Sequence, residues 1–229
     1  MPHSISYVLF PMNLDGPAQP GATVGFRMGR VEAFSDGVIA VAITLLVLDL
    51  RVPAPSDTVM GSGLARRLGE MWPNYLAYVI SFLAIGIIWI SHHAALQRLK
   101  MVDQAVLATN LVLLMCIAVL PFTTSLFATY LNAPDGGHIA AVVYAGSFFV
   151  TSAAFFTLQF LIVARRPGLL RESLTARESR RIVGRGLFAL PTYLIAALLG
   201  LASPYLTLAV CVAAGAFYLV PTRAREFTR

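Results

Sequence analysis

Four stretches of this chain contain no Asp, Glu, Lys or Arg: Met71 to Gln97, Gln104 to Pro134, Gly136 to Ala164, and Gly186 to Thr222. A helix needs about 20 mainly apolar residues to cross the hydrocarbon of a bilayer. Each of the first three stretches fits one crossing. The fourth is long enough for two short ones, with Ala202, Ser203 and Pro204 as the turn between them. A fifth segment, Val31 to Leu50, is equally apolar but holds Glu32, Asp36 and Asp49. Counting it as a span predicts an all-α, polytopic membrane protein with six transmembrane helices. Composition excludes the soluble alternative, because 58% of residues are apolar and only 12% are charged. A soluble domain carries about 25% charged residues and needs them to cover its surface.

The net charge of +6 does not point to nucleic acid. The basic residues sit in short segments between apolar runs, with no contiguous basic groove and no interleaved aromatics. They read as topology signals. With the N-terminus inside, the cytoplasmic segments hold Arg27, Arg30, Arg98 and Lys100, seven arginines from Arg165 to Arg185, and Arg223, Arg225 and Arg229. Only Arg51, Arg66 and Arg67 fall outside. This distribution predicts a multi-pass protein of the cell membrane with both termini cytoplasmic. Cys116 and Cys211 lie singly within apolar runs, so no disulfide framework or metal site is expected.

Three regions follow: an N-terminal tail (1–29), a six-helix transmembrane domain (30–222) and a basic C-terminal tail (223–229). The first part of the tail is rich in Pro and Gly, and Met28 is a candidate translation start. Thr23, Val24, Gly25 and Phe26 approach the TVGYG selectivity filter of tetrameric channels. Arg27 occupies the place of the second glycine and no pore helix precedes the match, so it reads as chance.

The first helix carries most of the information. Twelve residues separate Asp36 from Asp49. At about 1.5 Å each they span roughly 18 Å, well short of a hydrocarbon core of about 30 Å. At least one carboxylate therefore lies at membrane depth, where facing lipid costs about 2.5–3.5 kcal/mol or more. The helix is expected to turn that side toward protein or water. At about 100° per residue, Phe34, Val38, Val41, Leu45 and Leu48 form one stripe, and Asp36 points to the opposite side. By periodicity alone the stripe is ordinary packing or a lining, and Asp36 a structural partner. His92 and His93, beside Trp89, end the second span at similar depth, with Arg30 one to two turns below Asp36. Asp–His or Asp–Arg pairing would satisfy the carboxylate. Adjacent histidines diverge, which argues against a shared metal.

Two motifs carry a resemblance. Arg30, three residues, then Phe34, Ser35 and Asp36, running on to Asp49, resembles the first-helix signature of the transmembrane protein 175 family. Ile88, Trp89, Ile90, Ser91, His92 and His93 resemble that family's Trp-and-His segment closing the second helix. The two motifs cover about 30 residues; the length suits the prokaryotic members, which hold one six-helix unit. The resemblance implies a potassium channel without a TVGYG filter, assembled as a homotetramer in the bilayer. Its central pore would be lined by the first helix of each subunit, with K+ as permeant ion and no cofactor.

Carried onto this chain, Val41, Leu45 and Leu48 would line the pore, with Thr44 adjacent. The Phe34, Ser35 and Asp36 motif would pack inward as a brace, together with Arg30, Trp89, His92 and His93. Family members usually carry Ile or Leu where this chain has Val41, which leaves the position of the narrowest ring open. Asp49 either concentrates cations at the outer mouth or is a solvated helix-end acid paired with Arg51. A proton- or cation-coupled secondary transporter using Asp36 and a histidine is the rival reading. The motif occurs once, without the repeated halves that such transporters commonly show. An intramembrane enzyme is disfavoured, because the later spans supply few ionisable groups apart from His138.

Overall fold

The computed structural model describes residues 28–54 and 63–219. Seven helices run through them: α1 (Met28–Leu45), α2 (Leu64–Glu70), α3 (Trp72–Gln97), α4 (Gln104–Tyr130), α5 (Gly137–Phe160), α6 (Ala176–Gly200) and α7 (Pro204–Leu219). The only β pairing among the described residues is an isolated bridge between Leu99 and Leu170. The expected tail up to residue 27, its Thr23–Phe26 match and the basic tail 223–229 lie outside the described residues.

Local chemistry sets the boundaries. Asp103 caps α4, its carboxylate accepting from the Val106 N–H at 2.9 Å. Thr175 and Glu178 form a reciprocal capping box at the start of α6, a Ser/Thr-x-x-Glu pattern that satisfies two otherwise orphaned N–H groups. Before α5 the chain turns through Gly136, whose φ of 83° lies in the left-handed region. A Cβ there would also stand 2.8 Å from Tyr130 Cδ1. Only glycine meets both conditions at low cost.

Five helical stretches are long and apolar enough to cross a membrane: Met28–Asp49, Trp72–Gln97, Gln104–Tyr130, Gly137–Arg165 and Ala176–Gly200. The first continues α1 through a 3-10 turn, Leu46–Asp49, and the fourth continues α5 through a π-helical turn, Leu161–Arg165. The expected turn near Ala202 to Pro204 is present between α6 and α7. The expected sixth crossing is not met by length: α7 has 16 residues, about 24 Å of helix against a core of about 30 Å.

The arginine-rich connection also differs from expectation. It breaks at Pro167 and Gly168, but from Ala176 onward it is already helical. Arg177, Arg180 and Arg181 thus ride on the first turns of α6, ahead of its apolar part. A charged first segment hides a helix start from a hydropathy reading, whereas the capping box marks it.

The core runs along α4 and α5, through Leu113, Ile117, Leu120 and Phe127 on one and Ala141, Tyr144 and Phe148 on the other. Phe127 stacks on Tyr144 at 4.7 Å, Tyr144 meets Phe148 edge-on at 5.1 Å, and Phe148 stacks on Tyr193 of α6 at 5.3 Å. The Tyr144 hydroxyl, fully buried, bonds Ser81 of α3 at 3.0 Å. At one end of the bundle the α3–α4 and α5–α6 connections clasp each other. Arg171 N–H donates to the Arg98 carbonyl at 2.8 Å, Lys100 N–H to Leu169 at 2.9 Å, and Arg166 pairs with Asp103 at 3.0 Å.

Small residues let α5, α6 and α7 approach closely, as helices in lipid commonly require. Thr207 Oγ1 donates to the Ala196 carbonyl at 2.8 Å. A Cβ on Gly200 would lie 2.8 Å from Thr207 Oγ1 and 3.1 Å from Ala141 Cβ. Gly200→Val should therefore lower stability by about 1–3 kcal/mol through overpacking. The thermal unfolding midpoint of detergent-purified protein checks this; a midpoint equal to wild type would show that the helices do not meet there.

Candidate functional site

The α1 helix divides its circumference three ways. Val31, Ser35, Ile39, Ala42 and Leu46 recur every three or four residues and are buried in the core with α3 and α4. To one side of this face lies the apolar stripe: Phe34, Val41, Leu45 and Leu48 are 56%, 56%, 42% and 70% exposed. Val38, on the same stripe, is half-buried. Phe34, Gly37, Val38, Val41 and Leu45 line a shallow apolar groove of about 460 Å³, closed on one side by Ala118 of α4. Thr44 is exposed beside the stripe, and its hydroxyl donates to the Val41 carbonyl at 2.9 Å.

To the other side of the buried face stands Asp36. The Trp89 indole N–H donates to its Oδ1 at 2.8 Å, and His93 Nδ1 lies 3.9 Å from its Oδ2. The Trp89 and His93 rings stack at 5.8 Å, and Gln97 Nε2 lies 2.8 Å from His93 Nε2. If the Gln97 amide donates, the His93 proton sits on Nδ1 and points at the carboxylate, so hydrogen bonding fixes the tautomer. The Asp36 side chain is 39% exposed in the single subunit. Pairing of Asp36 with the end of the second span is what its depth predicts.

Three expectations are corrected here. Arg30 is exposed and pairs with no described residue; six residues along a helix are about 600°, which carries it well around from Asp36. Phe34 does not pack inward with its two neighbours, because three consecutive helical positions diverge by about 100° each and cannot share a face. Phe34 instead joins the open stripe. Asp49, ending the 3-10 turn, forms no ion pair with Arg51; the two are linked only by the Arg51 N–H to the Asp49 carbonyl at 3.0 Å.

His92 separates from His93 and enters the core, fully buried. Its Nε2 lies 2.7 Å from Asn110 Oδ1, and Asn110 Nδ2 donates to Ser35 Oγ at 3.0 Å. A carbonyl oxygen only accepts, so Nε2 carries the proton; Nδ1 is buried without a partner among the described residues. The chain His92–Asn110–Ser35 ties α3, α4 and α1 together at the level of the motif. Asn110 was not anticipated from the sequence. Its signal was there: it is the one side-chain amide inside the long uncharged run after Gln104 until Asn132, and a buried amide in an apolar span must have partners. No group of three or more His, Cys, Asp or Glu able to hold a metal occurs among the described residues.

These features first define a class: a multi-pass helical membrane protein whose first long apolar helix carries a carboxylate, Asp36, met by Trp89 and His93 of the next. The profile described as "Endosomal/lysosomal potassium channel TMEM175" matches residues 30–121. A potassium channel of Chamaesiphon minutus is 37% identical over 196 residues, covering 86% of this chain and 95% of that protein. A potassium channel of Streptomyces collinus is 46% identical over 127 residues, or 56% of this chain; the match spans 60% of that relative's length. The crystal structure of a lysosomal potassium-selective channel TMEM175 homolog from Chamaesiphon minutus superposes with a TM-score of 0.75 at 35% identity, over 83% of this chain and 95% of that one. The chain belongs to the TMEM175 family, and is a prokaryotic-type member of it. That family is one of ion channels, not enzymes.

The amide of Asn110 serves two buried partners at once. Asn110→Leu strands the His92 N–H and the Ser35 hydroxyl, at about 1–3 kcal/mol for each buried group left unpaired. Trp89→Phe, which removes one bond to a half-exposed carboxylate, should cost less. Thermal unfolding of the two variants in one detergent gives the order, and a Trp89→Phe loss exceeding that of Asn110→Leu would reverse the ranking of the two networks.

Proposed function

We propose that this protein is a potassium-permeable channel in which four copies surround a shared axis with the apolar stripe of α1. The observation that carries the reading is that α1 is left uncovered by its own subunit on two flanks of different character. One is the stripe of Phe34, Val41, Leu45 and Leu48; the other is the half-exposed pair of Asp36 and His93. A half-exposed carboxylate on a spanning helix is costly against lipid. A helix with that flank is placed best inside an assembly, and its open stripe then faces what the assembly encloses. Relatives that are potassium channels support the same reading.

In this arrangement Val41, Leu45 and Leu48 form successive apolar rings, and Thr44 supplies the nearest hydroxyl. Apolar constrictions gate by dewetting and pass ions that shed water at tolerable cost. Potassium holds its hydration shell less tightly than sodium, so such rings favour it modestly without a carbonyl filter. Asp49 lies at the outer mouth, where a carboxylate raises the local cation concentration. The chain sits in the cell membrane with both termini cytoplasmic, α7 completes a sixth, short crossing, and no cofactor takes part.

The rings set both conductance and preference. Leu45→Ala and Leu48→Ala should each raise single-channel conductance and lower the potassium-over-sodium permeability ratio in planar bilayers under asymmetric salts. Unchanged ratios in both variants would move the selective element off α1. Asp36→Asn should leave the ratio as it is while reducing open probability or tetramer yield, because the carboxylate braces the helix from outside the pore. Sealed vesicles separate the channel from a coupled transporter: a channel dissipates a potassium gradient without stoichiometric movement of protons or sodium.

A further inference from the structure

Away from α1, a second cavity of about 510 Å³ opens between α3, α5, α6 and α7. That volume lies within the range of about 300–1,000 Å³ typical of small-ligand sites. Along α3 its wall runs from Ala84 through Ile88 and Ser91 to Arg98, about 21 Å of helix. This is the length of one membrane leaflet with part of its headgroup layer. The corridor is mainly apolar, with Ile87, Ile88 and Phe155 on its walls, and Thr151, Ser152 and Tyr193 set polar groups among them. At the end where α3 stops, the lining adds Arg98, just past the helix, Ser91 two turns earlier, and Gln159 from the last turn of α5.

These polar groups are underemployed. Arg98 is half-buried, yet its guanidinium forms no ion pair or hydrogen bond with any described residue, while the neighbouring Arg166 has Asp103 and Arg171 Nε donates to the Leu99 carbonyl at 2.9 Å. Gln159 is only 9% exposed, and its amide likewise bonds no described residue. A half-buried cation without an anion costs free energy unless something else meets it, and the unbonded Gln159 amide is reachable from the cavity. Both line the same space.

We propose that this cavity is a binding site for an anionic membrane phospholipid. One acyl chain lies along the apolar corridor, and the phosphate sits on Arg98, with Gln159 and Ser91 completing its hydrogen bonds. Basic pockets between spanning helices take acidic lipid headgroups for the same reason. An arginine offers several donors to phosphate oxygens in a fixed fork, so the charge and its geometry both count. The proposal rests on the membrane embedding of the helices and on no assumption about the permeant ion. In the orientation given above, the headgroup end is in the cytoplasmic leaflet.

The test uses the full chain purified in mild detergent and titrated with phosphatidylglycerol or phosphatidylcholine, with retained lipid counted by native mass spectrometry. The site should retain phosphatidylglycerol over phosphatidylcholine. Arg98→Gln should weaken that retention about tenfold, the loss of roughly one charge-assisted contact. Arg98→Lys should keep an intermediate affinity, and Lys100→Gln, which removes an exposed cation two positions away, should behave as wild type. Equal retention of the two lipids, wild-type retention by Arg98→Gln, or an equal loss in Lys100→Gln would overturn the site. So would displacement of the lipid by millimolar inorganic phosphate, or loss of retention on assembly because a second copy fills the space. Potassium flux is not read, so a failure here is distinct from a failure of the channel reading.

Discussion

A carboxylate at the depth of a bilayer must be met by something other than lipid, and the first third of this fold is arranged around that demand. Asp36 is met by the Trp89 indole and by His93, both on α3. The partners come from one helical turn, because Trp89 and His93 are four residues apart and share a face. Pinning α1 to α3 at this level sets the rotation of α1. Once the rotation is set, Ser35 falls into the core, where Asn110 and His92 receive it. The same rotation leaves Phe34, Val41, Leu45 and Leu48 without cover.

The two polar systems on α1 do different work. The Ser35–Asn110–His92 chain is fully inside the subunit and joins three helices. Removing a member leaves buried groups unpaired, so this chain specifies how the helices pack. The Asp36–Trp89–His93 group is half-exposed, so its polar atoms are not confined to partners within the core. The two joints together hold the stripe in place without burying it. The α5–α6–α7 side is built differently, from aromatic stacking and small-residue contacts such as Gly200 against Thr207.

Much of this was legible in the residues. Uncharged runs located the long helices, and the even depth of Asp36, Trp89 and His93 anticipated their pairing. Period alone gives the residues of the stripe, whereas that it stands uncovered comes from the structure. What was missed has physical reasons. One amide barely alters the hydropathy of a 27-residue helix, so Asn110 does not stand out in the sequence although its burial makes it a joint. The start of α6 was hidden by Arg177, Arg180 and Arg181, since hydropathy finds the apolar part of a helix and not its solvated first turns. The motif groups Phe34 with Ser35 and Asp36, whereas helical geometry separates them.

The sequence by itself determined the class of solvent this chain folds in, the order of its long helices and the residues available to each face of α1. Those are consequences of composition and period, which act locally along the chain. Only the tertiary structure decided which histidine enters the core and which meets Asp36. It alone showed that Arg30 stands apart, and that Arg98 and Gln159 open onto a common cavity. Such pairings depend on the rotation and depth of helices distant in sequence, and nothing in a single helix's pattern encodes its neighbour's azimuth.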